Sequence, residues 1–384
     1  MSQDFKHLLE IMVQKKASDF FITAGRPPAI KVENELVDLS EHDFQPEMTM
    51  AWVESLMDDN QRLDFERTGE CNFAFSVAGL ARFRVSAFMQ QGQAGMVIRR
   101  IESKIPDLSD LNLPTYLPQL IMENRGLILV VGGTGSGKST TLAAMIKYRN
   151  QNVSGHIITI EDPIEFVHSH QKSIITQREV GIDTQSFEVA LKNTLRQAPD
   201  VILIGEIRTR ETMQHALAFA ETGHLCLATL HANNANQALD RILGFFPEEL
   251  HGQVLKELSL NLKGVVAQQL VKRNNGKGVC PAVEVLLNTP LMSDLIAKGS
   301  IDEIKELIKR SQEQGMQTFD QALFELYEAN KISYESALAL ADSSNEVRLM
   351  IKLGLGGKTK SSTDAVKMMK LTESSDEFGS IKRE

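Results

Sequence analysis

Cysteine is scarce in this chain, and so are long apolar runs and any excess of positive charge. Its three cysteines, Cys71, Cys226 and Cys280, lie far apart and form no Cys-x-x-Cys pair, which argues against a disulfide framework or a four-thiolate zinc site within one chain. No apolar run approaches the roughly 18 residues of a membrane span. Met1–Glu10 is polar and lacks the basic and apolar regions of a signal peptide. We therefore expect a cytoplasmic protein.

The charge balance is acidic. A formal net charge of −9 argues against bulk binding to nucleic acid or to an anionic membrane, although it leaves room for a local basic patch. Hydrophobic residues make up 42% and charged residues 24% of the chain, as in an ordinary globular protein. A length of 384 residues predicts two or three domains.

The stretch Leu127–Thr141 runs from an apolar segment through a glycine-rich loop into a helical segment. It fits the pattern Gly-x-x-x-x-Gly-Lys-Ser/Thr, in which backbone N–H groups and a helix N-terminus bind phosphate. We expect the loop to bind a nucleotide and its glycines to adopt positive φ. The residues concerned are Gly132, Gly133, Thr134, Gly135, Ser136, Gly137, Lys138, Ser139 and Thr140. A chance glycine-rich turn is the alternative, but it would leave the flanking strand and helix without a role.

Two side chains of this loop have predicted roles in binding ATP and Mg²⁺. Lys138 is expected to reach the β- and γ-phosphates. The hydroxyl of Ser139 is expected to bind Mg²⁺, because this ion prefers oxygen ligands and bridges protein to phosphate.

Four short apolar segments in the middle of the chain are separated by helical stretches. They are Leu127–Val131, Ile157–Ile160, Val201–Ile204 and Leu225–Thr229. Segments that are apolar on both sides are typical of a parallel sheet covered on both faces. The sequence therefore predicts an α/β domain whose ligand lies at the carboxyl ends of its strands.

Acidic residues follow two of these strands. Those after the second strand are Glu161, Asp162 and Glu165. Glu206, which comes shortly after the third, is in position to orient or deprotonate an attacking water in ATP hydrolysis. Gly205 stands where many P-loop enzymes carry an aspartate. The alternatives are a carboxylate at a helix N-terminus for Glu206 and a solvated turn for the other three.

His224 and His231 lie near the fourth strand. A lone histidine is as often a hydrogen-bonded structural residue as a functional one. Their shared position around a core strand favours a role in sensing the γ-phosphate or the catalytic carboxylate.

The chain up to Lys104 is predicted to form a small α/β domain. Apolar residues from Phe5 to Val13 recur at helical spacing, and a second helix is expected around Met50–Phe65. The strands of an antiparallel sheet are expected at Asp19–Thr23, Ala29–Val32, Cys71–Val77, Ala81–Phe88 and Gly92–Ile101.

Four arginines lie on adjacent predicted strands of this sheet: Arg82, Arg84, Arg99 and Arg100. Arg82 and Arg84 are two residues apart and therefore project from one face. A functional site and a solvated sheet face both remain open at this point.

The carboxyl-terminal part is expected to be largely helical. The spacing predicts helix over Leu255–Gln269, a strand at Val283–Leu287 and further helices at Pro290–Lys298, Ile301–Gln314, Thr318–Asn330 and Ser333–Ala341. Gly354–Glu384 is rich in charged residues and serine, which predicts a flexible tail.

Longer segments around these motifs resemble the PilT/PilU family of type IV pilus retraction ATPases, within the type II/IV secretion ATPase superfamily. His156–His168 (HIITIEDPIEFVH) resembles the family's acidic box, and Thr194–Arg208 (TLRQAPDVILIGEIR) its Walker-B region. Thr222–Ala235 (TGHLCLATLHANNA) resembles its histidine box, and Ser18–Val32 part of its PAS-like domain. The resemblance covers nearly the whole chain.

The resemblance implies a mixed α/β fold. An N-terminal PAS-like α/β domain is followed by a C-terminal RecA-like P-loop ATPase domain with a helical C-terminal extension. The implied divisions are 1–104 for the PAS-like domain, 105–119 for an interdomain linker, 120–288 for the ATPase core, 289–353 for the helical region and 354–384 for the tail.

The family also implies roles for the residues at the site. Glu206 would be the catalytic glutamate, and Glu165 the acidic-box carboxylate near nucleotide and Mg²⁺, partly through water. His224 and His231 would bind at the nucleotide and couple its state to a homohexameric ring. In such a ring the four arginines become candidates for contacting phosphates across the subunit interface, because a guanidinium binds phosphate oxygens bidentately.

The implied function is a hexameric ATPase motor for pilus retraction and twitching motility. Several features favour the PilU branch, whose members assist a PilT-like motor. Gly133 replaces the family's usual proline, and Leu291–Lys298 (LMSDLIAK) departs from the PilT sequence AIRNLIRE. The segment Gly315–Tyr327 (GMQTFDQALFELY) and the polar tail also resemble PilU. The expected partners are a PilT-like paralogue and the pilus platform protein of the inner membrane, at the cytoplasmic side of the pilus base. The alternatives are a nucleotide-gated module that docks on another motor and an ATPase of a secretion or competence system.

Overall fold

The computed structural model describes residues 3–32, 35–101 and 104–353. Its chain divides into two compact units. The first is formed by the described residues of Met1–Ile105 together with Asp162–Ser169 and Gln177–Ser186, and the second by the remaining described residues from Pro106 onward. The predicted domains are continuous stretches of the chain. They therefore do not include the two segments from the middle of the chain that join the first unit. The predicted tail, 354–384, lies outside the described residues.

The first unit contains a six-stranded antiparallel sheet in the order β3-β2-β1-β6-β5-β4. Its strands are β1 (Asp19–Ile22), β2 (Ala29–Val32), β3 (Glu35–Asp38), β4 (Glu70–Val77), β5 (Ala81–Gln90) and β6 (Gln93–Ile101). The predicted antiparallel sheet is confirmed, and β3 is an additional strand that the sequence patterns did not indicate.

Three helices accompany this sheet. The apolar face of α1 (Gln3–Gln14) places Phe5, Leu9 and Met12 in the core beside Phe20 of β1. The single helix expected around Met50–Phe65 is instead two helices, α2 (Pro46–Leu56) and α3 (Asp59–Thr68). The break occurs because Asp58 caps α3: its carboxylate accepts the N–H of Gln61 at 2.8 Å, and the Gln61 side chain accepts the N–H of Asp58 at 3.0 Å.

The second unit is built on a seven-stranded sheet in the order β13-β12-β7-β11-β10-β8-β9. The strands are β7 (Gly126–Val131), β8 (Gly155–Glu161), β9 (Ser173–Glu179), β10 (Val201–Ile204), β11 (Leu225–Leu230), β12 (Leu262–Lys272) and β13 (Val279–Leu287). The pairs β12-β7, β7-β11, β11-β10 and β10-β8 are parallel, and β13 is antiparallel to β12. Every residue of β7, β10 and β11 is buried, which confirms the predicted parallel sheet covered on both faces.

The helix predicted over Leu255–Gln269 is wrong for most of its length. Helix α9 (His251–Asn261) ends at Asn261, and the chain continues directly as β12. The residues Val265, Val266 and Ala267 are fully buried, and a continuous apolar run of this kind does not distinguish a buried strand from a buried helix.

The other helices of the second unit pack around this sheet or follow it. They are α4 (Leu117–Ile121), α5 (Lys138–Asn152), α6 (Phe187–Thr194), α7 (Arg210–Glu221), α8 (Ala235–Leu243), α10 (Pro290–Lys298), α11 (Ile301–Arg310), α12 (Phe319–Glu328), α13 (Tyr334–Leu340) and α14 (Ser344–Leu353). The predicted helical region therefore agrees with the structure, apart from its boundaries and the additional α14. Among the described residues, no helix is long and apolar enough to cross a membrane.

The segment expected to be a linker, 105–119, is packed against the second unit from Pro106 onward. Leu108 and Leu117 are buried, and the Lys147 ammonium of α5 lies 2.8 Å from the Asp107 carboxylate. This segment therefore has a defined place because its leucines remove apolar surface from water.

Candidate functional site

The glycine-rich loop connects the carboxyl end of β7 to the first residue of α5. Gly132, Gly135 and Gly137 have φ values of 155°, 76° and 88°, a region that residues with a Cβ rarely adopt. Gly133 is not among the residues with positive φ, so the expectation of positive φ fails at that one position. The sequence pattern thus predicted the strand, the turn and the helix in their observed order.

The start of α5 fits an anion. Its N-cap is Gly137, which has no side chain to satisfy the N–H groups of the first helical turn. The ammonium of Lys138 donates to the carbonyl oxygens of Gly132 and Gly133, both at 2.8 Å, and so lies across the loop. The Ser136 hydroxyl is buried without a hydrogen-bond partner among the described residues. Backbone donors, a cation and a buried hydroxyl in one loop are the groups that hold nucleotide phosphates.

Glu206 lies just beyond β10, which is separated from β7 by β11 alone. Its Oε2 accepts from the Arg208 guanidinium, with Nε at 2.8 Å and an Nη at 2.6 Å. Its Oε1 lies 3.1 Å from Nε2 of His231, the residue that follows β11. The Glu206 side chain is 18% exposed. The structure thus brings Glu206 and His231 together at the carboxyl edge of the parallel strands, and both carboxylate oxygens have a fixed direction.

Gly205 owes its identity to close backbone packing. Its N–H donates to the carbonyl of Ile160 at 2.7 Å, and a Cβ at this position would lie 3.0 Å from Cα of Glu161. A larger residue would therefore press on the backbone of β8, and the aspartate common at this position in P-loop enzymes fits poorly here. Glu161 accepts a hydrogen bond from the Thr159 hydroxyl at 2.6 Å and ends β8 at the same sheet edge.

The residues of this unit that fit Mg²⁺ are oxygen donors. Ser139 lies in the first turn of α5, Glu161 ends β8, and Glu206 comes shortly after the neighbouring strand β10. Among the described residues, no three His, Cys, Asp or Glu side chains form a group that could hold a metal ion by themselves. This donor set suits Mg²⁺, which usually takes one or two protein oxygens and completes its shell with phosphate and water.

His224 is not part of this cluster. It precedes β11, and its carbonyl accepts the N–H of Gly126 at the start of β7. His231 follows β11, so the six-residue strand separates the two histidines by about 20 Å. His224 therefore lies away from the phosphate loop of its own chain, and its role in sensing the nucleotide stays a prediction. Its ring instead lies 3.1 Å from the Thr222 hydroxyl.

The four candidate arginines belong to the first unit, and the strand register places them on two different faces of its sheet. Arg84 lies opposite Arg99, and these two share a sheet face with Arg82. Arg100 lies opposite the buried Phe83, on the core face of the sheet. The four therefore do not form a single cluster.

A buried carboxylate that sequence reasoning missed lies near this face. Glu179 is 2% exposed, and its Oε2 lies 3.9 Å from the Arg82 guanidinium. Burial raises the pKa of Glu179, against the N–H of Ile164 and the positive charges of Arg84 and Arg82. Arg99 is held differently: its Nε donates to Asp19 at 2.8 Å, and its side chain is 70% exposed. The sequence gives no sign of this pairing, because Glu179 meets Arg82 only when residues 177–186 pack with the rest of the first unit.

Glu165 belongs to the 162–169 segment of the first unit and is exposed there. Its role at nucleotide and Mg²⁺ stays a prediction. Arg208, the hydrogen-bond partner of Glu206, was missed although it lies within the Walker-B-like segment. The signal was its position two residues after a candidate catalytic carboxylate.

Comparison with known proteins gives consistent matches along the chain. The family model described as type II/IV secretion system protein matches residues 2–368. The chain is 61% identical over 370 residues to the type IV pilus ATPase PilU of Pseudomonas aeruginosa, covering 96% of this chain and 95% of that protein. It is 42% identical to the pilus retraction ATPase PilT of the same organism, covering 87% and 97%.

Among solved structures, the chain is similar to the pilus retraction motor PilT with bound ADP. The TM-score is 0.83 at 40% sequence identity, and the match covers 88% of this chain and 98% of the other. The mixed α/β fold, with an antiparallel amino-terminal sheet and a carboxyl-terminal parallel-sheet domain, agrees with that structure.

Proposed function

Because the chain belongs to the type II/IV secretion system protein family, we propose that it is a Mg²⁺-dependent ATPase motor of type IV pilus retraction, a PilU-like accessory to a PilT-like motor. One observation carries the proposal. A single sheet edge brings together the phosphate loop with Lys138 and the pair of Glu206 and His231, whose Oε1 and Nε2 lie 3.1 Å apart. These are the parts that nucleotide hydrolysis requires: a phosphate cradle, a cation and a carboxylate.

Each of these residues has a proposed part in hydrolysis. Lys138 binds the β- and γ-phosphates, and Ser139 holds Mg²⁺, which when bound neutralises charge on the phosphate oxygens. Glu206 orients the attacking water and takes its proton. Arg208 and His231 fix the direction of the Glu206 carboxylate, and His231 responds when the hydrogen bonds of that carboxylate change.

The ring and its partners extend this proposal. The protein works as a homohexamer in the cytoplasm at the pilus base, beside a PilT-like motor and the platform protein of the inner membrane. Arg82, Arg84 and Arg99 are proposed to contact the phosphates bound by a neighbouring subunit, since they share one face of their sheet. Glu165 is proposed to support Mg²⁺ through water. Similarity to PilU and PilT supports these assignments.

Steady-state hydrolysis by the purified protein tests the enzymatic part. Glu206→Gln should still bind ATP and lower the turnover number about 10²- to 10⁴-fold, as expected for loss of a general base. Lys138→Ala should weaken nucleotide binding as well. Glu211→Gln, an exposed carboxylate five residues after Glu206 on α7, is the matched control and should turn over like the wild type. Wild-type turnover by Glu206→Gln would refute the assignment. Absence of turnover in the wild type would favour a nucleotide-gated binding module.

Pilus retraction in cells tests the biological part. Cells whose only copy carries Lys138→Ala are compared with wild-type cells and with cells that carry Lys192→Ala, an exposed lysine of α6. Abundant pili that fail to retract, in the Lys138→Ala strain alone, would mean that ATP hydrolysis by this protein is required for retraction. Normal pili in all three strains would contradict a required motor and favour a role by contact beside another motor. Normal pili with a secretion or DNA-uptake defect would place the protein in another system of the family.

A further inference from the structure

Gln268 is a buried polar residue outside every motif identified in the sequence. It lies on β12 and is 3% exposed. Strand β12 pairs in parallel with β7, and Ala267 is in register with Val131, the last residue of β7. Gln268 therefore lies beside Gly132, the first residue of the phosphate loop.

The carboxamide of Gln268 bridges the loop and the helix that follows it. Its Nε2 donates to the carbonyl oxygen of Ser136 at 2.8 Å. Its Oε1 accepts from the hydroxyl of Thr141 on α5 at 2.7 Å. A carbonyl oxygen can only accept, so the amide nitrogen must face Ser136 and the amide oxygen must face Thr141. Gln268 thus uses both ends of its side chain on the phosphate loop and its helix.

The loop backbone also packs directly against Gln268. A Cβ at Gly132 would lie 2.5 Å from the carbonyl oxygen of Gln268, and a Cβ at Gly137 would lie 2.7 Å from its Nε2. Separations this short are not observed for real Cβ atoms. The backbone of Gln268 therefore leaves no room for a side chain at Gly132, and a side chain at Gly137 would displace the Gln268 carboxamide.

The hydrogen bond to Ser136 fixes the direction of one N–H group. Among the described residues the only cis peptide bond is Asp162–Pro163, so the Ser136–Gly137 bond is trans. In a trans peptide the C=O and the N–H point in opposite directions. Because the Ser136 carbonyl points at Gln268, the Gly137 N–H points away from β12.

We infer that Gln268 is a positioning residue for nucleotide phosphate. Through Ser136 it holds the Gly137 N–H toward the bound phosphate. Through Thr141 it fixes the position of the first turn of α5 relative to that N–H. This inference rests on the proposed function, because it takes the loop to be a nucleotide site. Gln268 does not touch the reacting atoms; it acts through the loop backbone.

The test measures ADP affinity by calorimetry together with thermal unfolding of the nucleotide-free protein. Gln268→Leu keeps the approximate size of the side chain and removes both hydrogen bonds. A hydrogen bond to a charged group makes a large contribution to binding affinity. Misalignment of the Gly137 N–H should therefore weaken ADP binding about 10- to 100-fold. Thr141→Val is the milder second variant, since it removes one hydroxyl and keeps the β-branched shape. Gln269→Leu is the matched control, because neighbouring strand residues face opposite sides of the sheet.

The inference is supported if Gln268→Leu and Thr141→Val weaken ADP binding, with a rise in the KM for ATP larger than the fall in kcat, while Gln269→Leu binds as the wild type does. It is overturned if Gln268→Leu only lowers the unfolding temperature and the folded protein binds ADP with wild-type affinity. If Gln268→Leu does not fold, Thr141→Val decides between the same two outcomes. Wild-type protein that binds no ADP would overturn both this inference and the proposed function, whereas wild-type binding with unaffected variants overturns this inference alone.

Discussion

Glu284 of β13 should make the stability of this protein fall as the pH rises toward neutrality. Its side chain is 2% exposed, and its Oε1 accepts the N–H of Ala235, the first residue of α8, at 2.8 Å. Burial raises the pKa of Glu284 from 4.5 to about 7, and the Asp342 carboxylate adds to this effect, while Lys305 and two backbone N–H groups oppose it. The carboxyl group is therefore neutral in the folded protein at pH values where it is ionised in the unfolded chain.

The sign and the size follow from proton linkage. Between pH 4.5 and about 7 the folded state binds more protons at Glu284 than the unfolded state, so the free energy of unfolding decreases as pH rises through this window. Below the window both states are protonated, and above it both are ionised, so this contribution is constant. The difference between the two pKa values corresponds to a loss of about 3 kcal/mol across the window.

Urea unfolding of the nucleotide-free protein at a series of pH values measures this effect. Glu284→Gln keeps the acceptor for the Ala235 N–H and removes the titration. Relative to the wild type, the variant should therefore gain up to about 3 kcal/mol between pH 5 and pH 8. Glu306→Gln, at a side chain that is 61% exposed on α11, is the control and should follow the wild-type curve. A constant difference between wild type and Glu284→Gln over this range would refute the reasoning.

Four other substitutions have expected outcomes. Gly132→Ala should abolish ADP binding, because its Cβ would lie 2.5 Å from a backbone carbonyl; Gly133→Ala, which meets nothing within 4 Å, should bind ADP normally in the same calorimetric titration. Gly205→Asp should lower stability by about 1–3 kcal/mol in urea unfolding, since its Cβ would press on the backbone of β8. Lys305→Met removes the ammonium that lies 3.6 Å from the buried carboxylate of Asp320. Its loss should cost about 3–5 kcal/mol at pH 8, and a difference below 1 kcal/mol in urea unfolding would contradict it.

Local patterns in the sequence predicted those features whose causes are local. The loop after β7 could be recognised because a tight turn, a phosphate cradle and a helix start each need particular residues in fixed order. The strands β7, β10 and β11 could be recognised because burial on both faces requires unbroken apolar segments. Because Glu206 and His231 come shortly after two of these strands, a parallel sheet places both residues at its carboxyl edge.

The features that were missed depend on which segments meet in three dimensions. Strand β12 follows α9 directly, and the spacing of apolar residues continues past Gly264 without a clear break. The conformation of β12 is therefore decided by its pairing with β7. Gln268 was not identified as a functional residue for the same reason. Had β12 been recognised as parallel to β7 and in register with it, the polar residue level with the start of the phosphate loop would have been a candidate. The separation of His224 from His231 needed no structure, since a six-residue strand lies between them.

The segment from His231 to Ala235 links Glu206 to the carboxyl-terminal helices. At one end, Nε2 of His231 lies 3.1 Å from the Glu206 carboxylate. At the other, the Ala235 N–H donates to Glu284, and the side chain of Asn234 donates to Asp342 at 3.4 Å. Asp342 in turn lies 2.9 Å from the ammonium of Lys305 on α11. Only the five residues from His231 to Ala235 therefore separate the contact with Glu206 from the contacts with Glu284 and Asp342. A continuous set of contacts thus runs within one unit from the sheet edge that carries Glu206 to Lys305 on α11.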